Sequence, residues 1–343
     1  MKIINICLIG FGNASKAFCK MLLEKNTDLQ TIVGYEVKIT AIATRSKGSL
    51  LNLNGIDLQA ALECVSKNET LSGYSEDAVD LDTKALIKVS KADVLIELSA
   101  LSIQDGQPAM SYIETAFDLK MHVITGNKGP IAWDFHRLKN IATENGLEFL
   151  YETTVMDGAP IFNMVKYTLP GCKVVSFKGI LNSTTNFIIE EMEKGNTYES
   201  AVKEAQLRGF AEADPSLDVD GWDAAAKTAA LANVLMDASL TPVEIARQGV
   251  GQMTIEEIED ARKVGKKIKL LCEGFVENGV VRGRVTPTLI PMTDLFATID
   301  ATSSVLAITT DLMGEVIMVE KNPEIEQTAY GIYSDLLTLL KSV

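Results

Sequence analysis

Histidine is nearly absent. The 343 residues contain two, His122 and His136, which argues against any chemistry that needs several imidazoles. Cysteine is sparse and scattered: Cys7, Cys19, Cys64, Cys172 and Cys272 form no CxxC pair. That pattern suggests neither a zinc site nor a disulfide framework, and a reducing cytoplasm is the expected compartment. Basic residues are outnumbered, 32 Lys and Arg against 46 Asp and Glu, for a formal net charge of −14. A chain of that sign is not built for nonspecific nucleic-acid binding, which rests on basic patches. No apolar run approaches the roughly 20 residues that span a bilayer, so no membrane segment is expected. The N-terminal "MKIINICLIGFGN" is apolar but short and runs into glycines, not into a small-residue cleavage site. It reads as a first strand and not as a signal peptide. Internal repeats and low-complexity linkers are also missing.

What is present is a chain with 47% hydrophobic residues, long enough for two domains. Residues 3–9, 37–43, 92–98, 121–125 and 147–152 read as strands. Helices are expected after the first glycine turn and near 106–119 and 133–144, with a polar, partly helical excursion over 46–90. Alternation of this kind predicts a parallel sheet with crossover helices. After about residue 150 the rhythm changes. A strand over 173–181 leads into "NSTTN" and a helix, and further helices follow near 197–207 and 221–236. Strand-like segments at 267–276, 280–290, 304–310 and 315–320 lie close together, which predicts a mostly antiparallel or mixed sheet. A last helix, roughly 324–341, carries Ile325, Ala329, Ile332, Leu336, Leu339 and Leu340 on one side. The expected class is α/β: a Rossmann-type doubly wound parallel sheet over 1–150, then an α+β catalytic and dimerisation domain over 151–320.

Gly10-Phe11-Gly12-Asn13-Ala14-Ser15 sits directly after the first strand and opens a helix. The first glycine allows the tight turn, and the second lets the backbone approach a pyrophosphate resting on the helix N-terminus. Ser15 replaces the usual third glycine. The second strand ends in Thr44-Arg45-Ser46-Lys47, where an acid would grip the ribose of NAD. Arg45, with Ser46 and Lys47 in support, instead suits a 2′-phosphate, so NADP is the expected cofactor, with NAD possible.

The stretch "GFAEADPSLDVDGWDAAAKTAALA" gathers Glu212, Asp214, Asp218 and Asp220 before an alanine-rich helix. Acids at a helix mouth are stabilised by the macrodipole, and Asp220 is placed to cap the helix. Asp223 and Lys227 stand at i and i+4 on one face among small residues. A carbonyl reductase needs a proton donor at the nascent alkoxide, and with histidine so scarce a lysine is a natural candidate. The carboxylates would at the same time suit a substrate ammonium.

Together with "TGNKGP" (125–130), "YETTVMDGAPIF" (151–162), "GILNSTTNFI" (179–188) and "TAYGIYSDLL" (328–337), these stretches resemble homoserine dehydrogenases over essentially the whole chain. The resemblance implies interconversion of L-homoserine and L-aspartate 4-semialdehyde, in threonine and methionine biosynthesis, with NADPH giving hydride to the aldehyde. It implies Lys227 as proton donor, Asp223 and Glu212 as holders of the substrate, and the backbone at Gly209 nearby. Lys128 would be a second active-site lysine close to cofactor and substrate. Ser99 and Gly331 would contact the cofactor, the latter bringing a C-terminal helix, 321–343, back onto the first domain. Glu152, Val155, Asp157 and Ala159 would hold a monovalent cation such as sodium. A homodimer is implied as well, and little inhibition by threonine, since the sequence shows no ACT-type regulatory domain. The residue pattern alone leaves open a related dehydrogenase of another small amino or keto acid, or a non-catalytic NADP-sensing protein.

Overall fold

The computed structural model describes residues 2–71, 73–74 and 76–342. They divide into two compact units: residues 1–130, 136–160 and 324–343 in the first, 131–135 and 161–323 in the second.

The first unit is built on strands β1 (Lys2–Ile9), β2 (Tyr35–Ala43), β3 (Ser49–Leu51), β4 (Ala78–Val79), β5 (Val94–Glu97), β6 (His122–Thr125) and β7 (Phe149–Leu150). Its helices, in the order met along the chain, are α1 (Asn13–Val33), α2 (Leu58–Asn68), α3 (Thr83–Val89), α4 (Ala109–Asp118) and α5 (Lys128–Glu144). The strand order is β4-β3-β2-β1-β5-β6-β7, and β2, β1, β5, β6 and β7 run parallel. β5, buried at every position, shows why its sequence is continuously apolar up to its last residue. The excursion over 46–90 holds two short strands that pair antiparallel on the β2 edge, a feature the polar, mixed sequence did not signal. β7 is only two residues long, shorter than the expected 147–152, because a tight 3₁₀ turn over Glu152–Thr154 follows it. α5 begins at Lys128, five residues before the expected 133. Asn127 caps it by accepting the Gly129 N–H at 3.0 Å, and Pro130 is tolerated in a first turn. The helix breaks at Asp134 (φ −155°, ψ 40°).

The second unit opens on a single turn, α6 (Ile161–Asn163), and continues with β8 (Val174–Ile180), α7 (Ser183–Glu193), α8 (Tyr198–Leu207), α9 (Ser216–Val219) and α10 (Trp222–Leu235). Then come β9 (Ala246–Arg247), α11 (Ile255–Lys263), β10 (Lys266–Glu277), β11 (Val280–Pro291), β12 (Ser304–Thr310) and β13 (Gly314–Glu320). The sheet order is β13-β12-β8-β10-β11-β9, antiparallel except for β9 on β11. β10 and β11 form a long hairpin closed by Asn278-Gly279, both with positive φ, as a two-residue hairpin turn requires. Lys269 on β10 is fully buried. Its ammonium donates to Asn186 Oδ1 on α7 at 2.9 Å and to the Ile299 carbonyl at 2.5 Å, with Asp300 3.4 Å away. Burial pulls this lysine below its ordinary pKa. The Asn186 amide in turn donates to the carbonyls of Ile299 and Ala301, so α7 is pinned to the sheet by a satisfied polar network.

The chain ends in α12 (Ile325–Ser342), which belongs to the first unit. Ala329, Ile332, Leu336, Leu339 and Leu340 share one core with Ile6 and Leu8 of β1 and Phe18 and Leu22 of α1. Ile325 of the expected stripe is exposed instead, while Asp335 is buried and accepts the Glu152 N–H at 2.9 Å.

The turn after β1 has no slack. Gly10 has φ +91°, and a Cβ there would stand 2.2 Å from the Leu98 carbonyl oxygen. A Cβ on Gly12 would meet nothing within 4 Å. Gly10→Ala is therefore expected to cost about 2–4 kcal/mol in urea unfolding, from overpacking and left-handed strain. Gly12→Ala is expected to unfold at nearly the wild-type denaturant concentration.

Candidate active site

In the first unit a cleft of about 1140 Å³ opens at the C-terminal ends of β1, β2 and β5. Gly10, Phe11, Gly12, Thr44, Arg45, Ser46, Lys47, Leu98 and Ser99 are among its lining residues. That is where an open α/β sheet binds ligands. α1 starts at Gly12 with no side-chain cap and no acid in its first turn. Its neighbours α2 and α3 are capped by Asp57 and Asp82. The first N–H groups of α1 are thus left for an anion. Open space above Gly12 leaves room for a pyrophosphate at that point. Asn13, Ala14 and Ser15 form the first turn of α1, and the buried Ser15 hydroxyl has no partner among the described residues. Arg45 is exposed at the end of β2 and makes no ion pair among the described residues, while Lys47 donates to the Phe11 carbonyl at 3.4 Å. Glycines and a basic pair in this arrangement fit a dinucleotide.

A second constellation lies in the second unit, at the N-termini of α7 and α10. Lys227 stands 3.4 Å from Asp223, both largely buried, and donates to the Leu181 carbonyl at 2.6 Å. The Asn182 amide donates to Asp218 at 2.7 Å and to Asp223 at 3.0 Å. Its oxygen is committed to the Thr185 N–H and hydroxyl, which fixes which end of the amide faces the acids. Burial, and then the neighbouring Asp223 carboxylate, push Asp218 above the ordinary carboxylate range, with Asn182 and Lys227 opposing. Two carboxylates and one ammonium leave a surplus negative charge in a partly desolvated pocket. A ligand cation would balance it.

Sequence pattern treats Asp218 as helix-mouth charge and does not single out Asn182, yet the fold puts both in this cluster. The signal was available only as "NST", a capping pattern, and as one acid among several. Asp220, expected as the cap of α10, does not cap it: Gly221 holds that position in a left-handed conformation with no side-chain bond. Asp220 is exposed, and its carbonyl accepts from Arg247, whose guanidinium stacks on Trp222 at 3.7 Å. Glu212 lies on the exposed segment after α8, with no hydrogen bond from its carboxylate to the cluster among the described residues. Gly209 is the exposed, left-handed end of α8. Lys128 is half-buried and opens α5.

The remaining expected site residues sit together in the first unit. Glu152, Val155 and Ala159 are buried, and Asp157, with φ +40°, accepts the Thr328 hydroxyl at 2.6 Å. Gly331 on α12 packs against this loop, so that a Cβ would come within 2.8 Å of Thr153 and 2.9 Å of the Asp157 carbonyl. It is not among the residues lining the cleft. Among the described residues no group of three or more acidic, histidine or cysteine side chains is arranged to hold a metal.

The sequence profile of homoserine dehydrogenase matches residues 160–337. A homoserine dehydrogenase of Methanocaldococcus jannaschii is 36% identical over 99% of this chain and 99% of its own length. The chain belongs to the homoserine dehydrogenase family. An NAD(+)-dependent homoserine dehydrogenase of Pseudomonas canavaninivorans is 32% identical, covering 98% of this chain and 96% of that one. A crystal structure from Archaeoglobus fulgidus, provisionally named a homoserine dehydrogenase, matches with a TM-score of 0.87 at 32% identity, over 98% of this chain and 99% of that one. As a member of this family the protein is an NAD(P)-dependent oxidoreductase acting on a CH–OH group.

Asp218 therefore works against the free fold. With its folded pKa raised, it favours folding when protonated, and that contribution is lost as pH rises through the raised value. Asp218→Asn, which keeps an acceptor for Asn182, is expected to unfold thermally at the wild-type temperature or higher at pH 7. Its KM for homoserine should rise by about tenfold or more, the cost of a lost charged hydrogen bond. In the wild type the same KM should rise as pH falls through the raised Asp218 value.

Proposed function

We propose that the protein interconverts L-homoserine and L-aspartate 4-semialdehyde, with NADP preferred over NAD and Lys227 as the proton donor. The observation that carries this reading is the Asn182–Asp218–Asp223–Lys227 cluster, an ammonium-seeking acid pair with an amine beside it. Asp218 and Asp223 hold the substrate amino group, and Glu212 and the backbone at Gly209 contribute from the α8 end. Asp223, one helical turn from Lys227, also orients its ammonium.

Gly10 to Ser15, Arg45, Ser99, Lys128 and Gly331 are the residues assigned to the cofactor, which when bound supplies or accepts hydride at the carbon of the substrate. Lys227 delivers a proton to the oxygen when aldehyde is reduced and takes it back when homoserine is oxidised. The Leu181 carbonyl accepts from the Lys227 amine and helps aim it. Lys128, at the N-terminus of α5, serves as a second lysine on the reacting groups. One relative is named for NAD(+), so side chains of this cleft, not family membership, decide the cofactor. Arg45 at the end of a strand that lacks a terminal acid supports NADP.

Loop 152–159 is assigned to a monovalent cation such as sodium. A buried carboxylate, Glu152, suits a hard cation. A homodimer through the second unit's sheet is supported by β13, an outer strand of that sheet with Ile317 and Val319 exposed. Operation in the cytoplasm is supported by five free cysteines, and a role in threonine and methionine synthesis rests on the proposed substrate pair; no described helix is long and apolar enough to cross a membrane.

Spectrophotometric assay of homoserine oxidation tests these assignments. Lys227→Ala should lower kcat by a factor on the order of 100 or more, as for a lost general acid; near-full turnover would refute its role. Catalytic efficiency should favour NADP over NAD. Arg45→Ala should lower the NADP value by about tenfold, leaving NAD unchanged; a wild-type preference for NAD would overturn the cofactor assignment.

A further inference from the structure

Glu97 ends β5 and is completely buried. Its Oε1 accepts the Ser99 N–H at 2.8 Å. Its Oε2 lies 3.0 Å from the Thr125 hydroxyl at the end of β6, and that hydroxyl also lies 3.2 Å from the Glu97 carbonyl oxygen. The Asn127 N–H donates to the same hydroxyl at 3.0 Å. The Asn127 amide donates to the Ser99 carbonyl at 3.3 Å, and its oxygen accepts the Gly129 N–H, capping the helix at Lys128. One closed set of hydrogen bonds thus joins Ser99, which lines the cleft, to the N-terminus carrying Lys128.

The protons can be counted. The Thr125 hydroxyl has a single hydrogen and two oxygen neighbours on Glu97. With Glu97 ionised, one of those two short contacts holds no proton. With a proton on Oε2, the acid donates to Thr125 and Thr125 donates to the Glu97 carbonyl, so both short contacts hold a proton, while the buried Ser99 hydroxyl has no partner among the described residues. The groups acting on the carboxyl are Ser99, Thr125 and Asn127, none of them charged, while burial pushes it above the ordinary range.

We propose that Glu97 is a positioning residue of the cofactor site that works as an uncharged carboxylic acid, its proton joining the Ser99 loop to the helix that starts at Lys128. This deepens the reading of the cleft as an NAD(P) site and rests on it.

Glu97→Gln keeps one acceptor and one donor without a charge. It should keep the KM for NADPH and kcat within about twofold of wild type, whereas Glu97→Ala and Thr125→Val should raise that KM by about tenfold with the semialdehyde KM nearly unmoved. Equal damage in Glu97→Gln and Glu97→Ala would overturn the uncharged acid. Wild-type kinetics in both Glu97→Ala and Thr125→Val would overturn the positioning role, and Thr125→Val alone decides it should Glu97→Ala fail to fold. Infrared difference spectra of the ligand-free protein at pH 7, wild type minus Glu97→Gln, should show an un-ionised carboxyl stretch; a carboxylate difference in its place would overturn the proposal. That readout needs no cofactor. A wild-type protein that turns over neither NADP nor NAD would therefore sink the cleft reading while the spectra still decide the proton on Glu97.

Discussion

The side-chain amide of Asn182 spends its two N–H protons on two carboxylates, Asp218 and Asp223, and the chemistry of the second unit follows from that bridge. Two acids brought together in a half-buried pocket repel one another unless something holds them, and an amide does so without cancelling their charge. Lys227, 3.4 Å from Asp223, sets one positive charge beside the two acids. The amide cannot turn away, because its oxygen is already taken by Thr185. One helical turn on, Asn186 ties the same helix to the buried ammonium of Lys269 and to the carbonyls of Ile299 and Ala301. The segment "NSTTN" therefore acts at both ends: its first asparagine arranges the acids and its last anchors the helix that presents them.

The first unit shapes its cleft by the opposite means, through what is left out. α1 has no capping side chain where α2, α3 and α5 have one, and Gly12 faces open space. Among the described residues no side chain caps the first N–H groups of this helix, at the positive end of its dipole. Gly10, by contrast, is required by the protein: its backbone touches Leu98 too closely for any side chain. At the far ends of β5 and β6, Glu97, Thr125 and Asn127 settle their own hydrogen bonds inside the fold and so fix the loops around the cleft.

Much of this was legible in the residues. The strands β1, β2, β5, β6, β8, β10 and β12 follow apolar runs that burial of parallel or paired strands demands, while β11 and β13 are largely exposed or half-buried. The glycine turn announced itself by position, directly after the first strand. Periodicity was a poorer guide where capping decides: α5 starts at Lys128 because Asn127 caps it, and hydrophobic spacing does not see caps. The small antiparallel strands β3 and β4 are too short, and too mixed in composition, to carry a pattern of their own. Lys269 gave no sign of burial, since a lysine in a strand ordinarily faces water.

Taken alone, the amino-acid sequence determined the alternating architecture, the anion-ready glycine turn, the i and i+4 pairing of Asp223 with Lys227 and, through its ordered stretches, the family. Those are local properties: they depend on neighbours within a turn or two of helix, or on the succession of segments. Which acid among many joins the site was settled elsewhere. Asp218 meets Asn182 across 36 residues, Lys269 meets Asn186 across 83, and Glu97 meets Thr125 across 28. Only folding brings such partners within hydrogen-bond range, and only burial makes the protons they share decisive.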